Sequence, residues 1–319
     1  MKYLPFTVSM LNKYLQCPKI FWFEYQFMIV PRKIQIPLIV GQTLHNGILT
    51  LLQTKREKYA KRYMLTTYNN YITKYKKNNI ISTEEELELN KWKIIIESIF
   101  DNYSINRKEF IQNVSIIECE KVFSLSEKKE TLLKWNDKRI YWPMGKIDAI
   151  IKYKDVKYIY DLKTTSILDY DKMKLYLIQV YIYHLIYGDY KINHIYLDCI
   201  QKPTIKQKKD EDITDYLTRL TKYYQQPDKY GQLIEPINLK FYNDIINLLY
   251  YIIPKIEQEA KLNEIMQKDY EIETNLHINP FNCFMYNAKC KYYLLCKEGI
   301  NSITMMPYRQ KTKPNEELD

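Results

Sequence analysis

Glycine is scarce in this chain of 319 residues, with only six in all. There is no glycine-rich phosphate loop followed by Lys and Ser or Thr, which excludes an ATPase motor of that design. No apolar run approaches the roughly 18 residues that span a bilayer. The start, Met1-Lys2-Tyr3-Leu4-Pro5, lacks the charged and apolar regions and the small-residue cleavage site of a secretory leader. An intracellular, cytoplasmic protein without a membrane partner is therefore expected. Cysteine is sparse too, at six residues, and in a reducing compartment a disulfide framework is not expected. Metal ligation is the use left open to them. No internal repeat is found.

What is present is a folding composition, 46% hydrophobic and 27% charged, unlike that of a disordered chain. The net charge of +10 suits a polyanionic partner, because lysines and arginines that displace counterions from phosphates bind without regard to sequence. A merely soluble basic protein would carry the same charge. The 32 tyrosines, with plentiful Lys, Ile and Asn, read as the residue usage of an AT-rich genome and by themselves say little about function.

Hydrophobic spacing predicts helices over 9–27 with a break at Pro18, over 41–52, and over 55–77, the last basic and rich in tyrosine. Pro31 and Pro37 bracket a loop. Ser82 and the carboxylates after it predict the start of a helix over 84–103. From Val114 the period changes, and 115–125, 141–153 and 156–162 read as successive strands. A helix over 170–187 and a strand over 192–200 follow. Residues 202–215 read as a charged linker and 216–262 as further helix broken at Pro227 and Pro254. One domain is expected over 1–304, with its core at 114–200, helical insertions at about 53–110 and 202–270, and a flexible tail over 305–319.

The decisive segment runs from Gly145 to Thr164. If its two strands turn about Lys154 and Asp155, positions equidistant from the turn pair, and Asp148 stands opposite Asp161. Lys163 lies two residues further on, so alternation puts all three side chains on one face. Opposed carboxylates repel unless a divalent cation lies between them. Oxygen ligands of this kind suit Mg²⁺ or Mn²⁺, which would activate a water and offset charge on a phosphate. An adjacent lysine could orient the nucleophile. This is the chemistry of phosphodiester hydrolysis, although an Asp-x-Lys on a plain surface hairpin is common.

Gly145-x-x-Asp148 followed by Asp161-Leu162-Lys163-Thr164 resembles the core of the PD-(D/E)XK nucleases, specifically their RecB-like branch. That branch has a Gly-x-x-x-His motif before the core, matched by Gly41-Gln42-Thr43-Leu44-His45. It has a Gln-x-x-x-Tyr motif after it, matched by Gln179-Val180-Tyr181-Ile182-Tyr183. The resemblance implies an α/β restriction-endonuclease-like fold, a mixed central sheet flanked by helices. It implies that His45, Asp148 and Asp161 ligate the metal and that Lys163 is the catalytic lysine. Gln179 and Tyr183, one helical turn apart, could contact the scissile strand or Lys163.

Cys283, Cys290 and Cys296 cluster near the C-terminus, with six and then five residues between them, and Cys17 stands far upstream. Four thiolates suffice for a [4Fe-4S] cluster or a tetrahedral Zn²⁺, and either would staple the C-terminal region onto the N-terminal helix. The split pattern resembles iron-sulfur members of the RecB-like branch, AddB-like subunits and CRISPR-adaptation nucleases, although the first gap is wider here. Cys119 and Cys199 read as core residues.

The resulting expectation is a metal-dependent DNA nuclease, an exonuclease on single strands or ends, serving recombination, repair or a phage- or CRISPR-related process. A helicase or recombination protein could be its partner. Tyr59, Tyr63 and Tyr68 could offer stacking faces to a strand. A non-catalytic DNA-binding scaffold subunit and a Zn-stabilised interaction module remain as alternatives.

Overall fold

A computed structural model of the protein describes residues 6–32, 36–78, 81–123, 133–135, 139–141, 143–187, 192–266, 279, 283, 289–300 and 303–311. The chain divides into two compact units, each discontinuous in sequence: 1–34, 123–145 and 239–319 form one, and 35–122 with 146–238 form the other.

The first unit opens with a short strand, β1 (Phe6–Thr7), and helix α1 (Val8–Gln16). The Thr7 hydroxyl accepts from Met10 N–H and caps α1. The expected break falls where Pro18 stands, because proline has no N–H to give and is accommodated without cost in a first turn. It opens α2 (Pro18–Phe21), which runs on as a π-helical turn over Trp22–Gln26. Strand β2 (Ile29–Pro31) comes next in the chain.

The small strands β4 (Leu133–Trp135) and β5 (Arg139–Tyr141) pair antiparallel, and β1 pairs parallel with the first residues of β6 (Pro143–Tyr153). Helix α9 (Leu239–Met266) passes through Pro254, where the sequence suggested a break. The loss of one backbone donor is outweighed by the burial of Ile252, Ile253 and Ile256 on either side. The polar stretch from Met305 onwards contributes a strand, β10 (Tyr308–Gln310), antiparallel to β2. Tyr308 is buried there, and its ring stacks on Tyr292 at 5.8 Å. That apolar anchor draws the neighbouring polar residues into order.

The second unit begins with α3 (Ile36–Thr54), which starts five residues before Gly41 because Pro37 suits the first turn. Helices α4 (Glu57–Asn78) and α5 (Thr83–Asn106) follow. A capping box opens α5, with Ser82 Oγ accepting from Glu85 N–H at 3.1 Å and Glu85 Oε2 accepting from Ser82 N–H at 3.2 Å. After α6 (Lys108–Asn113) the chain turns to β structure: β3 (Ser115–Phe123), β6, β7 (Val156–Thr165), α7 (Tyr170–Tyr187), β8 (His194–Gln201), α8 (Ile213–Tyr224) and β9 (Tyr230–Pro236).

The sheet is mixed. β6 pairs antiparallel with β7, β7 parallel with β8, and β8 antiparallel with β9, while β3 joins β6 on its other side. Strand β9 lies where helix was expected: Gly231 weakens the helical reading, and antiparallel pairing of Tyr230–Pro236 with β8 decides the matter.

One face of the sheet carries the main core. Tyr160, Leu162, Tyr196 and Ile200 meet Val40, Leu44 and Ile48 of α3, Ile99 and Tyr103 of α5, and Leu220 and Tyr224 of α8. Buried under this face, Asp198 accepts from Tyr103 Oη at 2.6 Å and Tyr160 Oη at 3.2 Å, and pairs with Arg107 Nη2 at 3.3 Å. This network ties α5 to the sheet. Helix α7 packs against β7 and β8.

Candidate active site

The hairpin between β6 and β7 sets the geometry. Its two turn residues, Lys154 and Asp155, both take positive φ, 48° and 63°, as a type I′ turn requires even without glycine. The register runs from Tyr153 opposite Val156 to Ala149 opposite Tyr160, the pairing that equal distance from the turn predicts. The ladder stops one pair short of Asp148 and Asp161. Asp148 instead accepts a hydrogen bond from Leu162 N–H through Oδ2, at 2.9 Å.

That bond leaves Asp148 beside His45, whose Nδ1 lies 3.3 Å from the same Oδ2. Helix α3 brings His45 to the strand because Gly41, one turn earlier, has no Cβ: a methyl group there would sit 3.3 Å from Thr164 Oγ1 of β7. The spacing of Gly41 and His45 thus has a packing cause. On the far side of His45, Nε2 lies 3.7 Å from Glu120 Oε1 of β3, and Lys146 Nζ lies 2.6 Å from that oxygen. Glu120 takes φ 50°, which interrupts regular strand geometry. Sequence reasoning missed Glu120 and Lys146. Neither falls in a recognisable motif, and only pairing with β6 brings β3 alongside.

Asp161 is fully buried. Lys163 Nζ stands 3.0 Å from its Oδ1 and 2.9 Å from its Oδ2, with the hydrogen bond directed to Oδ1. Oδ2 accepts no hydrogen bond. In α7, Gln179 Nε2 donates to Tyr183 Oη, and the buried Tyr183 hydroxyl feels the charges of Lys163 and Asp161. His45, Asp148, Asp161, Lys163, Gln179 and Tyr183 all belong to the second unit.

The charges are strongly coupled. Burial raises the Asp161 carboxyl, Lys163 opposes this, and Asp148 adds to it, leaving a pKa of about 6. Asp148 goes the other way: its burial is outweighed by His45 and Lys163, which hold it below the usual carboxylate range. Burial opposes charge on His45, yet Asp148 and Glu120 prevail and raise it to about 9. His45, and after it Lys146, holds Glu120 down at about 2, against the opposing effect of burial. Lys163 is likewise kept protonated, its burial outweighed by the two aspartates.

The model of the PD-(D/E)XK nuclease superfamily matches residues 5–296. The chain belongs to the PD-(D/E)XK nuclease superfamily. The mixed sheet flanked by helices is consistent with the restriction-endonuclease-like fold of that superfamily, and membership indicates a nuclease, a hydrolase of phosphodiester bonds. No curated protein shows a match to the chain. No helix among the described residues is long and apolar enough to cross a membrane.

Nucleases of this superfamily typically use Mg²⁺ or Mn²⁺. Among the described residues, no three His, Cys, Asp or Glu side chains already stand in a metal-holding arrangement; the carboxylates are engaged by Lys163 and His45. Their chemistry nonetheless fits a hard cation. His45 and Asp148 stand 3.3 Å apart, the buried Asp161 lies within reach of both their charges, and one of its oxygens lacks a hydrogen bond.

The four cysteines at the two ends of the chain belong to the first unit. Cys17 is buried in a cluster with Ile20, Phe23, Tyr292 and Leu295, against which Cys290 and Cys296 pack. Cys290 N–H donates to Cys283 O at 2.8 Å. Burial raises the Cys296 thiol to about 11, and Lys19 opposes that while Cys17, Cys290 and Cys283 add to it. Cys290 is raised by burial, with Cys17 and Cys283 contributing. All four are free thiols. Cys199 is buried within β8 and Cys119 is half-buried in β3. Of the tyrosines singled out as stacking faces, Tyr68 is a core residue that donates to Leu89 O, whereas Tyr59 and Tyr63 are exposed.

Proposed function

We propose that the chain is a metal-dependent deoxyribonuclease of the RecB-like branch, acting as an exonuclease on single-stranded DNA or DNA ends. The observation that carries this reading is the meeting of His45, Asp148, Asp161 and Lys163 across α3 and the β6–β7 hairpin. A scaffold subunit freed from turnover has no physical need for a buried aspartate, held by a lysine, beside a second carboxylate.

His45, Asp148 and Asp161 would hold the ion, and Glu120 would orient His45 from behind. A bound Mg²⁺ or Mn²⁺ lowers the pKa of a ligated water and offsets charge on the phosphate. Lys163, held as an ammonium by the two aspartates, orients the attacking water and balances negative charge that builds on the phosphate oxygens. Tyr183, fixed by Gln179, limits where the Lys163 ammonium can move. The net charge of +10 suits a polyanionic substrate.

In the first unit, Cys17, Cys283, Cys290 and Cys296 would hold a [4Fe-4S] cluster, with Zn²⁺ as the alternative. Burial, with the neighbouring thiols adding to it, raises Cys290 and Cys296, and sulfur donors of this kind suit a soft cation. With no motor motif of its own, the protein would work in recombination, repair or a phage- or CRISPR-related process, beside a helicase or recombination partner.

The test is incubation of labelled single- and double-stranded DNA with Mg²⁺ or Mn²⁺, comparing wild type with Asp161→Ala and Lys163→Ala. Cleavage by the wild type alone supports the reading. Equal activity in all three proteins, or none in any, sinks it.

A further inference from the structure

Helix α4 carries a row that neither the core nor the carboxylate site uses. Tyr59, Tyr63, Thr67 and Tyr71 follow at intervals of four, and residues so spaced form one ridge of a helix surface, each step rising about 6 Å. Tyr59 is 52% exposed and Tyr63 47%, large apolar faces left in solvent. A step of four overshoots a full turn, so the ridge winds around the helix. By Tyr71 it has turned inward: that residue is half-buried and interacts with Asn46, the neighbour of His45, and with the paired charges of Lys146 and Glu120.

The ridge therefore begins in open solvent and ends beside the carboxylate site. Its placement is firm, because Gly47 of α3 lies so close to Met64 of α4 that a Cβ would stand 2.8 Å from the Met64 side chain. A parallel ridge on α4 holds Lys58 and Arg62, and Lys74 lies beyond Tyr71. All three are exposed and form no ion pair among the described residues, whereas Lys61 is engaged by Glu97 and Asp101, and Lys76 by Glu86.

We propose that the Tyr59, Tyr63 and Tyr71 ridge is a stacking track that holds unpaired bases of a single strand leading to the carboxylate site, with Lys58, Arg62 and Lys74 on its phosphates. The proposal rests on the nuclease reading and names the form of substrate that the site takes. Aromatic rings beside cations are what a single strand needs, since every base offers a π face. A duplex keeps its bases stacked inside and offers the ridge only phosphates. Charge and continuity with the site thus point to one occupant.

The test is binding of a fluorescent oligothymidine and of a blunt hairpin duplex, measured by anisotropy in EDTA so that nothing is cut. Tyr63→Ala and Tyr71→Ala are expected to weaken single-strand binding by roughly 5- to 100-fold each, with the Phe variants within about twofold of wild type. Duplex binding should be unchanged. Because Tyr63 is exposed, its variants carry the test even if Tyr71→Ala fails to fold.

Unaltered single-strand binding by Tyr63→Ala overturns the proposal, as does equal loss on both substrates or a Phe variant as weak as Ala. Cleavage of the same oligothymidine by wild type with Mn²⁺ is followed in parallel. Cleavage together with unaltered Tyr63→Ala binding refutes the track and leaves the nuclease. The expected binding pattern without any cleavage keeps the track and refutes the nuclease.

Discussion

Nδ1 of His45 lies 3.3 Å from Oδ2 of Asp148, so a helix and a strand far apart in sequence share one ionic contact. That contact, with Lys163 on Asp161, neutralises two carboxylates that would otherwise repel. The same four side chains are those a divalent cation would reorganise.

Asp161→Ala and Lys163→Ala are expected to lower metal-dependent cleavage by at least about 100-fold, the scale at which groups that stabilise transition-state charge act. Steady-state rates at saturating DNA check this, with circular dichroism confirming the fold. A Lys163→Ala rate within a few-fold of wild type would contradict the role given to the ammonium.

Metal binding should release protons at neutral pH. His45, with a pKa of about 9, carries a proton that a cation must displace, and Asp161, at about 6, is protonated below that value. Affinity for Mn²⁺ should therefore fall from pH 7 to pH 5. Calorimetry in buffers of different ionisation enthalpy measures the release, and heats independent of buffer would refute it.

Stability of the metal-free protein should depend on His45. Its folded pKa is raised above the unfolded value of 6.5, so its contribution is present below pH 6.5 and is lost as pH rises through about 9. The change is on the order of 1–3 kcal/mol. Urea unfolding at pH 6.5 and pH 9.5 should show this loss in wild type and a flatter profile in His45→Gln.

Removing the Glu120 carboxylate should act on the metal rather than directly on the reaction. Glu120→Ala takes away the carboxylate that pairs with His45 Nε2 at 3.7 Å, and partners behind a histidine ligand are worth about 10- to 100-fold in metal affinity. The Mn²⁺ concentration giving half-maximal cleavage should rise, with the rate at saturating Mn²⁺ largely kept. A fall in that rate at unchanged Mn²⁺ affinity would count against an orienting role.

Asp198 should matter for folding. It is wholly buried, with Tyr103, Tyr160 and Arg107 as partners. Asp198→Ala leaves a guanidinium and two hydroxyls without their acceptor, a loss of about 3–5 kcal/mol. Denaturant midpoints measure it, and a variant as stable as wild type would show that the network is dispensable.

Local rules sufficed where the signal was local. The proline break at Pro18, the capping box at Ser82, the bounds of α7 and the register of the β6–β7 hairpin all follow from neighbouring residues. The side chains of Asp161 and Lys163 share a face because a strand alternates. The sequence alone thus determined the hairpin, the order of motifs and the face on which the carboxylates lie.

Long-range pairing decided the rest. Strand β9 exists because β8 offers it a partner, α9 runs through Pro254 because its flanking isoleucines are buried, and β10 forms because Tyr308 is buried on Tyr292. Glu120 reaches His45 only when β3 joins β6. Tyr68 and Tyr63 are alike as letters, yet one is core and the other exposed, since packing against α5 and α3 selects which ring is buried. Burial and non-local pairing depend on what arrives from elsewhere in the chain, and no window of sequence contains that.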